Sequence, residues 1–466
     1  MGLGAAMEIG KAGLKVYQIA TEVISENIAN VNTPGYSRQR IVLETAPPTT
    51  HNGFPLGTGV KVATVERYYD ALLQKQLVNA GTTLGYDSTK AEVLQQLEPV
   101  FNEIAQDGLG TAISKFFGSW QDLTVNPTGA AERQGVISRG QILVDQFHYV
   151  ARTLNDAITA QNEAVVPLTD DINRIVKEIS ILNGQINNTQ MVYGNANEMK
   201  DQRDYLIRQL GEQMGVKYTE NANGTTDVYV SRGGTDYYLV QGTQYGNLSL
   251  SAPPGNYTVT VNAVGGSTAV VDSTMYTAPN GGKLWSTLEM RDTYIPSYRT
   301  QVDALASAVV TNLNTLHTAG FTPSGAAGVN FFNPAGVTAA TIALNVTQGT
   351  QIAASNSATA PGNNSNAVSI AQLMGSNTMS GGTATFSNYY NGLMAQVGLD
   401  VKSAQTLVTQ DQAYLKQLNT LRDSSSGVSL DEELANLITY QRSYQASARL
   451  ITTAGDMLDT VINMVR

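Results

Sequence analysis

Residues 3–31, LGAAMEIGKAGLKVYQIATEVISENIANV, decide the fold. The series 3, 7, 10, 14, 17, 21, 24, 28, 31 holds Leu3, Met7, Leu14, Tyr17, Ile24, Ile28 and Val31, interrupted by Gly10 and Thr21. Apolar residues at this alternating spacing of three and four form the seam of a coiled-coil helix, so one helix is predicted over Leu3 to Val31. Its stop is equally legible. Asn30 and Asn32 favour helix ends, and Pro34-Gly35 supplies a fixed φ and then a free positive φ, as a type II turn requires.

The other end of the chain mirrors the first. In Val428-Ser429-Leu430-Asp431-Glu432-Glu433, Ser429 stands three residues before Glu432, the spacing of a capping box, which predicts a helix start. The series that follows holds Leu430, Leu434, Leu437, Tyr444, Ala448, Ile451, Leu458, Ile462 and Val465, broken by Gln441 and Gly455. Each end thus carries an apolar stripe with no partner helix nearby in sequence. Packing the stripes on each other removes both from water, which predicts a coiled coil between the chain ends; separate docking on a globular body is the alternative. A helix lying on a membrane needs a Lys/Arg-rich polar face, whereas the first helix sets only Lys11 and Lys15 among Glu8, Glu22 and Glu26.

Between the ends, helical spacing runs from about Tyr68 to Met214. Leu109, Ile113, Phe116, Trp120 and Leu123 form one stripe, and Ile172, Ile175, Ile179, Leu182 and Ile186 another. Trp120 reads as core. From Val216 to Tyr276 the period changes to two, and Arg232-Gly233-Gly234-Thr235 and Asn223-Gly224 mark hairpin turns. Helix resumes at Leu284 and continues through Val302, Leu305, Val309, Leu313 and Leu316. A Gly/Ser/Asn/Ala-rich stretch from Thr318 to Gly382 reads mainly as loop, with a possible strand at Thr341–Val346. Helix returns through Phe386, Tyr390, Leu393, Val397, Val401, Leu407, Leu415 and Leu418, and Asp423-Ser424-Ser425-Ser426-Gly427 reads as a turn. The expected fold is mainly α with a β insertion, elongated and nested. Residues 1–43 and 427–466 make a terminal coiled coil, 60–215 and 284–426 a long-helix body, and 216–283 one small outer β domain.

Composition narrows the function. The 466 residues carry 28 Lys plus Arg against 38 Asp plus Glu, a net charge of -10. That balance repels nucleic acid and anionic lipid, so neither nucleic acid nor membrane is an expected partner. No apolar run approaches the roughly 18 residues of a membrane span, and the N-terminus lacks the pattern of a secretory signal. Cysteine is absent, which removes disulfides, thiolate metal sites and cysteine nucleophiles. Charged residues make up 14 %, which suits close, neutral subunit contacts.

Catalytic patterns are not found. His51, His148 and His317 lie far apart, and only His148 has a carboxylate, Asp145, at a helical spacing. Gly57-Thr58-Gly59 and Gly108-Leu109-Gly110 lack the remaining parts of a phosphate loop. Asp431-Glu432-Glu433 sits in a first helical turn, where negative charge complements the macrodipole. No catalytic residue, cofactor or metal site is expected, and the chain reads as a structural protein.

Asn27-Ile28-Ala29-Asn30-Val31-Asn32-Thr33-Pro34-Gly35-Tyr36-Ser37-Arg38-Gln39 closely resembles the N-terminal motif of the bacterial flagellar rod and hook family of axial proteins. Ser429-Leu430-Asp431-Glu432-Glu433-Leu434-Ala435-Asn436-Leu437, followed by Tyr440-Gln441-Arg442-Ser443-Tyr444, is similar to that family's C-terminal motif. Further matches at Asp201-Gln202-Arg203-Asp204, Ala319-Gly320-Phe321, Ile352-Ala353-Ala354-Ser355 and Asn363-Asn364-Ser365-Asn366-Ala367 extend the likeness over most of the chain. The resemblance implies an extracellular subunit of the bacterial flagellum at the junction of hook and filament, needed for filament assembly; a hook or distal rod protein of the same family is the alternative. It also implies export by the flagellar type III apparatus. The implied partners are the hook protein, a second junction protein, copies of the chain in a ring, and a cytoplasmic export chaperone. The expected assembly interface comprises Leu14, Tyr17, Ile24, Asn27, Ile28, Asn30, Val31, Asn32, Pro34, Gly35 and Tyr36 at one end. At the other it comprises Leu430, Leu434, Leu437, Tyr440, Tyr444, Ile451, Leu458 and Ile462. Some relatives insert a large outer domain between Phe331-Phe332 and Ile352, where this chain has barely twenty residues.

Overall fold

The computed structural model describes residues 2–51, 54–103, 107–251 and 255–464. Val465 of the second seam lies outside them. Helix α1 (Leu3–Ala29) and the last helix, α10 (Leu430–Met464), lie side by side and antiparallel: Gly10 meets Ile451, Gly13 meets Ser447, Tyr17 faces Tyr440 at 6.1 Å between ring centroids, and Asn27 reaches Glu433.

The seam itself departs from the heptad reading. On α1 the buried positions are Gly10, Gly13, Val16, Ala20, Ile24 and Asn27, so Gly10 is the point of closest approach and not a break. A Cβ there would stand 2.7 Å from Ile451 Cγ1, and one on Gly13 would stand 2.8 Å from Ser447 Oγ. Small residues let the two backbones approach, and this turns Leu14, Tyr17 and Ile28 to the half-buried flank. Val31 lies beyond the helix, in the turn. On α10, Leu437, Tyr440 and Ile451 are half-buried, but Leu430, Leu434, Tyr444, Leu458 and Ile462 are 37–51 % exposed.

A feature absent from the sequence reading follows α1. Strands β1 (Gln39–Thr45) and β4 (Val60–Arg67) pair antiparallel, with the short β2 (Thr49–His51) and β3 (Phe54–Leu56) pairing beyond them. The body is then built from α2 (Ala71–Phe101), α3 (Leu109–Val125), α4 (Ala130–Tyr193) and α5 (Asn197–Gln213). At 64 residues α4 spans about 95 Å if straight. After the strands come α6 (Gly282–Glu289), a π-helical turn at Met290–Tyr294, α7 (Ile295–Ala319), α8 (Ser365–Gln372) and α9 (Phe386–Ser426). One core gathers Trp120, Phe116, Phe331, Phe332, Phe386 and Tyr390 from α3, α9 and the Gly-rich loops.

The β segment comprises β5 (Lys217–Glu220), β6 (Thr226–Arg232), β7 (Thr235–Gln241), β8 (Gln244–Tyr245), β9 (Asn247–Ser251), β10 (Thr258–Asn262) and β11 (Thr268–Val270). They form one antiparallel sheet ordered β5-β6-β7-β8 and another ordered β11-β10-β9. The β6–β7 turn places Gly233 at φ 57° and Gly234 at φ 82°, which only glycine adopts freely. Val228, Val230, Leu248, Val259 and Val261 share one core with Ile172, Ile175, Val176 and Ile179 of α4, so the strands lean on the long helix.

Two local expectations are corrected. Thr341–Val346 forms no strand; only an isolated bridge joins Phe332 to Leu344. Nor does the chain turn at Asp423, because α9 runs on to Ser426. Ser424 and Ser425 donate their hydroxyls to the carbonyls of Leu421 and Arg422, so residues that favour turns are satisfied inside the helix.

Candidate functional site: the clamp between chain ends and body

The segment after α1 binds three other parts of the chain. Pro34-Gly35 makes the predicted turn, with Gly35 at φ 85°; a Cβ there would also press on Tyr205 at 3.1 Å. The turn brings Tyr36 back to Asn27, and the Tyr36 hydroxyl donates to Asn27 Oδ1 at 2.9 Å. Asn27 is 1 % exposed and makes further bonds. Its Oδ1 accepts from the Gln39 N–H at 2.9 Å, and its Nδ2 donates to the Gln39 carbonyl at 2.9 Å and to Glu433 Oε2 at 3.0 Å. A buried amide satisfied on both sides fixes the angle between α1 and β1 and the position of α10 at once.

Arg38 closes the contact with α10. Its Nε lies 2.6 Å from Glu433 Oε1 and its Nη1 2.6 Å from Glu432 Oε2, while its backbone N–H donates to the Ser426 carbonyl at the end of α9. Burial alone would lower the Arg38 pKa, but the two carboxylates outweigh it and hold the guanidinium charged. The expected Ser429/Glu432 capping box therefore gives way: Glu432 turns to Arg38. Glu433, at 1 % exposure, does more than complement a helix dipole.

The body grips the same segment from α5. The Ser37 backbone N–H and hydroxyl both donate to Asp201, at 2.7 and 2.8 Å. Arg67, at the end of β4, bridges Asp201 and Asp204 at 2.7 and 2.8 Å. Gln39 Nε2 donates to Glu198 at 2.7 Å, and Asn197 donates to Gln39 Oε1 at 2.9 Å. Burial pushes Asp201 above the ordinary carboxylate range despite the opposing pull of Arg67. Burial, with Glu26 close by, likewise raises Tyr36 and keeps it a neutral donor. Beside the clamp lies a cleft of about 540 Å³ between the Pro34-Gly35 turn and helices α4 and α5.

Of the expected interface residues, the clamp gathers Asn27, Tyr36 and the Pro34-Gly35 turn. Asn30 caps α1 by bonding Glu26, and Asn32 lies in the turn beyond it. Ile24, Tyr17, Leu14, Leu437, Tyr440 and Ile451 line the α1/α10 contact or its flank. Leu430, Leu434, Tyr444, Leu458 and Ile462 of α10 stay 37–51 % exposed in the single chain. Periodicity had no means of finding Arg38, Glu432, Glu433, Arg67 or Asp201, because their partners are remote in sequence.

Among the described residues no group of three or more His, Cys, Asp or Glu could hold a metal ion. His317 is buried in the aromatic core. Its Nε2 accepts from the Ala353 N–H at 3.0 Å, its Nδ1 faces the Val329 carbonyl, and burial lowers its pKa to about 4. It is a neutral structural residue. His148 Nε2 bonds the Ile342 carbonyl at 2.8 Å.

A helical body that clamps its own two chain ends together, and leaves large apolar side chains of one end exposed to water, defines a structural subunit of a larger assembly. The model of the flagellar hook-associated protein FlgK helical domain matches residues 94–332, half the chain, and the chain belongs to that family of hook–filament junction proteins. The models named flagella basal body rod protein and flagellar basal body rod FlgEFG protein C-terminal match only the ends, residues 7–36 and 422–464. Flagellar hook-associated protein 1 of Bacillus subtilis (strain 168) is 28 % identical, over 98 % of this chain and 97 % of its own. Its counterpart in Escherichia coli (strain K12) is 27 % identical, over 97 % and 98 %. The solved structure of the flagellar hook junction protein FlgK from Burkholderia pseudomallei has the same fold, with a TM-score of 0.67 at 16 % identity, over 75 % of this chain and all of that one. Relatives matching over nearly the full length are hook-associated proteins, so the hook or rod alternative is not favoured.

Proposed function

We propose that the chain acts without catalysis, as an adaptor ring between the flagellar hook and the filament. In this reading the α1/α10 pair meets the hook protein on one side and a second junction protein on the other, with copies of the chain beside it. The observation that carries the reading is the set of apolar side chains that α10 leaves exposed. Leu430, Leu434, Ile438, Leu458 and Ile462 are 37–52 % exposed along one helix, an arrangement that water disfavours and neighbouring subunits would cover. The same exposed side chains suit a chaperone that shields α10 in the cytoplasm before export through the flagellar type III apparatus, for which the absence of disulfides is an advantage.

The experiment is electron microscopy of cells lacking the gene, with hooks and filaments scored separately. Finished hooks without filaments are the expected result. Missing hooks would make the chain a hook or rod component, and normal flagella would refute the reading. Leu434→Asp should then stop incorporation while leaving the helical body folded.

A further inference from the structure

Charge is banded along the α1/α10 pair. Lys11 and Lys15 on α1 lie at the level of Arg442 and Arg449 on α10, since Gly10 and Gly13 pack against Ile451 and Ser447. All four cations are exposed, and none forms an ion pair among the described residues. No carboxylate stands on α1 between Glu8 and Glu22, or on α10 between Glu433 and Asp456. The next band, toward the body, is acidic. Glu22 and Glu26 repeat the Lys11/Lys15 spacing eleven residues further along α1, about 16 Å of helix rise. Glu26 rims the cleft together with Glu178 and Glu198, and the cleft floor exposes Ile181 at 49 % and Tyr205 at 36 %. No Lys or Arg lines it, although Glu178 pairs with Arg174 at 3.2 Å on the exposed side of α4; Glu198 accepts from Gln39, and Glu26 is a rim carboxylate without a cation among the described residues.

We propose that the cleft is a docking site for the cation band of a second copy of this chain, with the two copies offset by about 16 Å along the coil. The inference rests on the reading that copies lie side by side. Copies in register would set cation band against cation band, whereas this offset sets it against the acidic rim. The long Lys and Arg stems would cover Ile181 and Tyr205 while their charged ends reach the carboxylates. Such pairing fixes the relative position of neighbours more than it adds affinity.

Because the chain has no cysteine, an engineered pair supplies its only thiols. Gln202→Cys in the cleft is combined with Lys15→Cys or with Arg449→Cys in the full chain, as the sole copy in the cell, and isolated flagella are oxidised. Disulfide-linked multimers from at least one pair, and not from Lys15→Cys or Arg449→Cys alone, are expected. Filament-bearing flagella that contain both paired variants yet give no linked species would overturn the docking site and leave the junction reading intact. If the paired variants fail to incorporate, charge exchange decides. Glu22→Lys with Glu178→Lys should abolish filaments, and adding Lys11→Glu and Lys15→Glu should restore them; failure to restore refutes the proposal.

Discussion

At the scale of single residues, the molecule depends on a few buried charges whose partners come from distant parts of the chain. Glu433 is held by Asn27 and Arg38, so Arg38→Met would leave a buried carboxylate short of its cation. Breaking a buried pair from one side costs about 3 kcal/mol. Hydrogen exchange should show the start of α10 opening in this variant while α4 stays protected; unchanged exchange at α10 would mean that the ion pair does not anchor it. A second pair lies between α2 and α9. Burial and the facing Asp411 carboxyl push Asp87 up to about 6, with Lys90 opposing, and Asp411 is raised as well. One Asp411 oxygen is buried without a donor, and a proton on Asp87 supplies it. The unfolded chain titrates near 4, so the folded state binds the extra proton between about pH 4 and 6. Stability is therefore expected to fall as pH rises through that window and to level off above it. Asp87→Asn should flatten the slope and stabilise the protein at pH 7, as read by denaturant unfolding at a series of pH values; a persisting slope would assign it elsewhere.

At the scale of elements, the sequence makes the helices legible but misplaces their contact. Apolar spacing located α1 and α10 to within a few residues, because burial of a stripe demands that spacing. It also ranked Leu14 and Tyr17 above Gly10, because a rule that counts apolar side chains gives no weight to the absence of one. The backbones in fact meet where side chains are smallest. Gly10→Val would place its Cβ 2.7 Å from Ile451 and force the pair apart, at a cost of about 1–3 kcal/mol. The expected phenotype is loss of filaments, with the helical body of the purified chain still melting normally by circular dichroism. Normal filaments would return the seam to the Leu14 and Tyr17 face. The β1–β4 hairpin is hard to read for a related reason: both strands are only partly buried, and β1 does not alternate. The clamp was visible as motifs but not as a mechanism, since neither Ser37-Arg38-Gln39 nor Asp201-Gln202-Arg203-Asp204 names its partner.

At the scale of the whole molecule, the question is whether the β segment is an appendage or part of the frame. Sequence alone places it in an outer domain between two helical halves, and a domain of that kind would be dispensable for folding. The shared core argues otherwise. Ile172, Ile175, Val176 and Ile179 of α4 are at most 2 % exposed, and they belong to one core with Val228, Val230, Leu248, Val259 and Val261 of the strands. Uncovering four aliphatic side chains at roughly 2 kcal/mol each gives about 8 kcal/mol, within the 5–15 kcal/mol by which a domain is stable at all. Replacing residues 217–270 by a short Gly/Ser linker should therefore yield a chain that aggregates, or that keeps helix content but loses its near-ultraviolet circular dichroism. A deletion variant that stays monomeric and melts cooperatively would show that α4 stands without the strands. Deletion of an independent outer domain would leave the clamp, and with it filament assembly, untouched. A β segment that braces α4 makes the clamp depend on it, because α5, which carries Asp201 and Asp204, packs on the same core through Ile207 and Leu210.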